Sequence, residues 1–289
     1  MPEQTEGELA IAGPFPKELV SFFQSGGPKL LLVKGKTRVG KTLFVLGLAE
    51  TVGPTNNCFI VSTKPPEPGL NEMFPWLKVN EARDKVLASD APPQAPAPRI
   101  IAPEKPKRPE EAAKVKSAKD LLKSILGDIP TAPSPPEPNE TAAPQPAALS
   151  GPDLGNLKKT FGAKEPKEII TVYKGVSAVA PASTLVVLNR ADRLAERYGI
   201  TLPALAQLLK EDLVVARNAN VVLVLEKPET GADTMADGIV TLKESGQGDD
   251  FLGQLELNKL AGLILKQPKT MYNLKGGKFQ VLKGMRVWG

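Results

Sequence analysis

Apolar residues fall along this chain in short continuous blocks rather than in strict alternation. "KLLLVKG" (Lys29–Gly35), "NCFIVST" (Asn57–Thr63), "TLVVLN" (Thr184–Asn189) and "NVVLVLEKP" (Asn220–Pro228) each set several apolar side chains in a row. Blocks of that length predict strands buried on both faces, as in a parallel sheet covered by helices. Between them the spacing turns helical. "KTLFVLGLAETV" (Lys41–Val52), "KEIITVYKGVSAV" (Lys167–Val179) and "LPALAQLLKEDLVVARNA" (Leu202–Ala219) predict helices. From Gly238 onward the segments shorten. "GIVTLKE", "FLGQLELNKL", "GLILKQP" and "KTMYNLKGGKFQVL", with turns at "GQGDD" and "GG", predict antiparallel strands extending the sheet. The fold class expected is α/β, with a mainly parallel central sheet and C-terminal antiparallel strands.

The middle of the chain breaks this pattern. Of 29 prolines, 15 lie between Pro92 and Pro152. Such segments carry too little apolar surface to offset the entropy of ordering, so residues 89–165 are expected to form a long, Pro-rich, disordered insertion. Within it, Pro109 suits a helix start and Gly127 a helix stop. Val115, Ala118, Leu122 and Ile125 make one apolar face, which predicts a short amphipathic helix over about 110–127. That helix either packs on its own domain or docks a protein partner. Residues 1–88 and 166–289 then form two halves of one core.

Histidine is absent, which excludes imidazole acid–base catalysis and histidine metal ligands. Cys58 is the single cysteine, so no intramolecular disulfide forms, and its place in "CFIV" reads as packing. The start "MPEQTEGELA" is acidic and polar, and no apolar run approaches a membrane span. A cytoplasmic protein without membrane contact is expected. The net charge of +5 permits an acidic partner without demanding one.

The sharpest motif is "GKTRVGKT", which meets G-x-x-x-x-G-K-[ST] at every fixed position. It follows a predicted strand and opens a predicted helix, as the chemistry requires. In that setting the backbone N–H groups of Gly35, Lys36, Thr37, Arg38, Val39 and Gly40 curl round phosphates at a helix N-terminus. Lys41 reaches the β- and γ-phosphates, and Thr42 offers its hydroxyl to Mg²⁺. The expected ligands are ATP and Mg²⁺.

With these residues in hand, the chain resembles the RecA superfamily of P-loop ATPases, and within it the archaeal KaiC-like and gas-vesicle-regulator (GvpD-like) group. The resemblance rests on the Arg within "GKTRVGKT", on "FIVSTKPPEPGLNEMFPWLK", on "LVVLNRADRLAERYGI", and on the stretch from "ADGIVTLKE" to "GGKFQVL". It implies a RecA-like core over roughly residues 10–80 and 166–283, a nucleotide site, and a homo-oligomer. In such an oligomer Lys259 would touch the neighbour's nucleotide in trans.

Three departures accompany the resemblance. The second nucleotide motif, which normally ends in Asp, ends in Asn189, whose neutral amide would be a weaker acceptor toward the magnesium shell. The place of the water-activating Glu pair reads Ser62-Thr63-Lys64. The Lys-x-Arg-Gly segment reads Lys259-Leu260-Ala261-Gly262. Asp192 and Glu226 remain as carboxylates able to take a catalytic role. Each also has a plain structural reading, Asp192 as a helix-start residue and Glu226 as a strand-end residue. Two functions stay open: an ATP-binding regulator or assembly factor with weak or absent hydrolysis, and an active ATPase of a KaiC-like or recombinase-like oligomer, with or without DNA. The loop "KPETGADTMADG" is acidic, which opposes nucleic acid. Basic residues gather instead at Lys105, Lys107, Arg108, Lys114, Lys116, Lys119 and Lys123, and at Lys275, Lys278, Lys283 and Arg286.

Overall fold

The computed structural model describes residues 11–63, 67, 69–88, 154–162, 164–179, 184–227, 231–245 and 251–282. The helix expected at about 110–127, the turn "GQGDD", Lys64, Lys283 and Arg286 lie outside them. In chain order the elements are β1 (Ile11–Gly13), α1 (Lys17–Gln24), β2 (Leu30–Gly35), α2 (Lys41–Val52), β3 (Cys58–Ser62), α3 (Leu70–Met73) and α4 (Trp76–Ala88). After residue 153 follow α5 (Gly155–Phe161), α6 (Lys167–Ala178), β4 (Leu185–Asn189), α7 (Ala191–Tyr198), α8 (Leu202–Leu209), β5 (Asn220–Val224), β6 (Gly238–Glu244), β7 (Leu252–Leu260), β8 (Lys269–Asn273) and β9 (Gln280–Leu282).

All nine strands join one sheet in the order β1-β9-β8-β7-β6-β2-β5-β4-β3. From β6 to β3 neighbouring strands are parallel; from β6 to β1 they are antiparallel. This is the mixed α/β architecture expected from the blocks and the C-terminal change of pattern. The continuous apolar runs have their physical cause in the two-sided burial. Leu30 and Leu32 face a core built with α5, α6, α7 and α8, while Leu31 and Val33 face a second core built with α1, α2 and the antiparallel strands. All four are fully buried.

The sheet is pinned at the amino ends of its central strands. Asp237 accepts the N–H of Leu30 at 2.9 Å and the ammonium of Lys210 at 2.8 Å, and Lys29 N–H reaches the Asn220 side chain at 2.9 Å. Lys210 opens a π-helical turn, Lys210–Val215, in which the predicted helix Leu202–Ala219 widens and ends.

Two segments depart from the pattern-based expectation. "GLILKQP" is a loop between β7 and β8, not a strand: the β7–β8 pairing stops at Glu256↔Lys269, and Ile264 points outward, 87% exposed. Helix α5 lies within the 89–165 range assigned to the insertion on proline content. Its Leu157 and Phe161 are in the core, and Asn156 donates to Asp212 at 2.9 Å, beside the Tyr173 hydroxyl on the same carboxylate. Helices α1, α3 and α4 were not anticipated. The "FPWL" residues Phe74 and Leu77 make a small satellite core with Leu46 and Leu70.

Candidate functional site

Strand β2 leads straight into the Gly35–Thr42 loop, and helix α2 begins at Lys41. Strand β2 is flanked by two strands from late in the chain, β5 on one side and β6 on the other. The chain leaves β2 toward the β3 edge and leaves β6 toward β7 on the other side, so connections diverge here, and open α/β sheets hold ligands at such a point, outside the carboxyl ends of the strands.

The loop owes its shape to residues that accept left-handed backbone. Gly40 caps α2 at φ 80°, Arg38 sits at φ 70° and Gly35 at φ 155°. Gly35 has no room for a side chain: a Cβ there would lie 2.6 Å from the Leu242 carbonyl oxygen. A Cβ on Gly40 would strike the Leu274 methyls at 2.8 Å. The wall behind the loop is thus β6 and the β8–β9 hairpin. Tyr272, buried and stacked on Phe279 at 4.3 Å, donates its hydroxyl to the Val39 carbonyl at 2.6 Å. Lys36, Thr37 and Arg38 are exposed at the rim, and Val39 is buried beneath.

Lys41 folds back over the loop and donates to the carbonyls of Gly35 and Lys36, each at 2.6 Å. Burial pushes its pKa down, against the opposing charges of Glu226 and Asp192, with Arg190 adding to the decrease. The ammonium therefore stands in the mouth of the loop, within electrostatic reach of the ends of β4 and β5. Thr42, the second residue of α2, is half-buried.

The sheet register brings the other candidates to the same edge. Ser62 pairs with Asn189, Asn189 with Val224, and Val224 with Val33. Asn189 ends β4 half-buried. Glu226 lies two residues past Val224, level with Gly35 on the adjacent strand. Its carboxylate is gripped by Arg190 at 2.5 Å and by Arg193 at 3.1 Å. Burial acts to raise the Glu226 pKa, but hydrogen bonds and charge from Arg193 and Arg190 outweigh it and hold the group below the usual carboxylate range. A carboxylate held so firmly ionised is a poor proton acceptor.

Asp192 is brought to this edge but is fully engaged with backbone. One oxygen accepts its neighbour Arg193 N–H at 3.0 Å, and the other accepts the N–H groups of Glu226 and Lys227, both at 3.1 Å. It is 4% exposed and ties the start of α7 to the end of β5. Lys259 is not part of this edge. It pairs with Ile239, which pairs with Leu32, so it stands toward the amino ends of the parallel strands, where it donates to the Ala236 carbonyl at 2.6 Å.

Sequence reasoning passed over Arg190, Arg193 and Arg197. With Thr63 and Glu226 they line a cavity of about 380 Å³ at the carboxyl ends of β3, β4 and β5. The i,i+4 spacing of Arg193 and Arg197 in "ADRLAERYG" was the available signal. Among the described residues no cluster of three or more acidic or cysteine side chains is placed to hold a metal ion by itself. No helix among them is long and apolar enough to cross a membrane.

A strand, a G-x-x-x-x-G-K-[ST] loop and a helix thus stand at the carboxyl edge of the parallel half of a mixed α/β sheet. The chain matches no protein-family model and no curated protein. Two solved structures are similar to it over most of their length. The flagellar accessory protein FlaH from Methanocaldococcus jannaschii is 15% identical, with a TM-score of 0.47, over 94% of this chain and 99% of that one. A KaiC-like protein from Pyrococcus horikoshii OT3 is 12% identical, with a TM-score of 0.48, over 95% of this chain and 99% of that one.

Proposed function

We propose that this protein is a RecA/KaiC-like, nucleotide-gated regulator or assembly factor that binds ATP with Mg²⁺ and hydrolyses it slowly or not at all. The observation that carries the reading is a complete G-x-x-x-x-G-K-[ST] loop beside carboxylates already tied to other groups. Left-handed backbone at Arg38 and Gly40 and a Lys41 ammonium folded over the loop support it: the loop N–H groups would cradle phosphates, and Lys41 would meet the β- and γ-phosphates. Mg²⁺ in such sites relies on phosphate oxygens plus a few protein oxygens. Thr42 and Asn189 fit that need, and the ion would neutralise phosphate charge. Asn189 gives the ion's water shell a neutral oxygen, so the site favours holding the nucleotide over turning it over. Glu226, the carboxylate nearest the loop, is locked to two guanidiniums and Asp192 to backbone amides. Any role for Lys259 on a nucleotide would be toward a neighbouring copy.

Mass action sets the test. Saturating MgATP should raise the melting temperature of the wild type, by stabilisation on the order of 3 kcal/mol at a hundredfold excess over Kd. Lys41→Ala should erase that rise. No shift in the wild type would overturn the proposal. Phosphate release should be negligible in the wild type and rise in Asn189→Asp. Rapid wild-type turnover that Lys41→Ala abolishes would instead establish the active ATPase.

A further inference from the structure

We propose that Arg190 is a phosphate ligand for the nucleotide held by its own chain: its guanidinium exchanges the Glu226 carboxylate for the terminal phosphate. The proposal rests on the nucleotide reading above and adds a named contact to it.

Position comes first. Arg190 is the first residue past β4, in left-handed backbone at φ 61°, at the N-cap of α7. Its side chain reaches back across the end of β5 to Glu226, which is level with Gly35. The guanidinium thus sits at the carboxyl ends of β4 and β5, the latter adjacent to β2, with its side chain 24% exposed and lining the 380 Å³ cavity. Lys41 senses both partners electrostatically.

Charge balance comes second. Glu226 holds two guanidiniums, Arg190 and Arg193. Arg193 also pairs with Glu196 at 3.1 Å, and Glu196 with Lys227. Arg197 pairs with Glu168 at 2.9 Å. Glu226, Arg193, Glu196 and Lys227 form an alternating chain that is neutral without Arg190. Arg190 is the cation outside that chain, and it can leave Glu226 without stranding a carboxylate, because Arg193 keeps Glu226 paired and backbone N–H groups satisfy the nearby Asp192. A terminal phosphate carries more charge than a carboxylate and accepts the same two-pronged contact. Such an exchange distinguishes ATP from ADP, since ADP has no terminal phosphate to offer at that point.

The experiment is a set of MgATP and MgADP titrations on the full chain, for wild type, Arg190→Ala, Arg190→Lys, Glu226→Gln and the double variant Arg190→Ala/Glu226→Gln. Arg190→Ala should weaken ATP binding about tenfold or more, the worth of a lost charged hydrogen bond, while ADP binding stays within about twofold. Arg190→Lys should recover part of the loss. Glu226→Gln, which removes the competitor, should tighten ATP binding in the wild type and have no such effect in the Arg190→Ala background. Equal losses for ATP and ADP in Arg190→Ala, or no loss for either, would refute the contact while leaving the nucleotide reading intact. A wild type that binds neither nucleotide ends both. Circular dichroism on each variant separates misfolding from loss of contact, and Arg190→Lys carries the test if Arg190→Ala does not fold.

Discussion

At the scale of single residues, Asp192 shows how a carboxylate beside a candidate site can be structural. Its oxygens accept three backbone N–H groups, including those of Glu226 and Lys227. Asp192→Ala leaves these buried donors without a partner, which costs about 2–3 kcal/mol. The loss is measured by urea unfolding, and an unchanged midpoint would contradict the role. Glu226 is testable by pH. Its folded-state pKa is depressed, so its ion pairs stabilise the fold above the unfolded-state value, near about 4.3, and that contribution disappears as pH falls through the lower folded value. The gap in melting temperature between wild type and Glu226→Gln should hold steady from neutral pH down to about 5 and close in more acid solution. Cys58 is buried and its thiol is pushed up to about 12, first by desolvation. Thiol reagents at pH 8 should modify it at the rate of unfolding, not on mixing. The sequence already pointed to that burial, through the run "CFIV". It could not separate the two readings of Asp192, because two of its three acceptor contacts span 34 and 35 residues and leave no local trace.

Among elements, the strands were the most legible. Four apolar blocks became β2, β3, β4 and β5 within a residue or two at the start, since burial on both faces writes itself into composition. The short or mixed elements were hidden. β1 has three residues, α1 sits before the first apolar block, and α4 has polar residues on much of its surface. "GLILKQP" misleads because Leu263 and Leu265 pack inward while Ile264 does not, an alternation with no partner strand to use it. The β8–β9 hairpin carries the consequence for the site. Tyr272 holds the Val39 carbonyl from 233 residues away. Tyr272→Phe keeps the stacking and removes the hydrogen bond, so stability should fall by about 1 kcal/mol. ATP binding should weaken with it, because the loop loses its backing. A variant with the lower stability but unchanged ATP affinity would show that the loop keeps its shape unaided.

At the scale of the molecule, the two stretches 11–88 and 154–282 supply every described strand and both cores. Residues 92–148 are Pro-rich and low in apolar side chains, so replacing them with a short Gly/Ser linker should leave the melting temperature and the ATP-induced rise nearly unchanged. Cutting on to residue 165 removes Leu157 and Phe161 from the core. Losses of that kind cost several kcal/mol, and the longer deletion should unfold at markedly lower temperature. Equal behaviour of the two deletions would remove α5 from the core. Proline content set the far edge of the assigned range too late, at 165, because α5 is a seven-residue helix whose two buried side chains make too brief a pattern.

The order of strands also sets a timetable. β2 and the loop it carries are made early, yet the neighbours that shape them come late: Leu30 is tied to Asp237 across 207 residues, and Val39 waits for Tyr272. Contacts of such separation form slowly and only after the intervening chain exists. On the ribosome the cradle is therefore written first and assembled last. A nascent chain halted before β6 should be unable to retain ATP, however complete its Gly35–Thr42 segment.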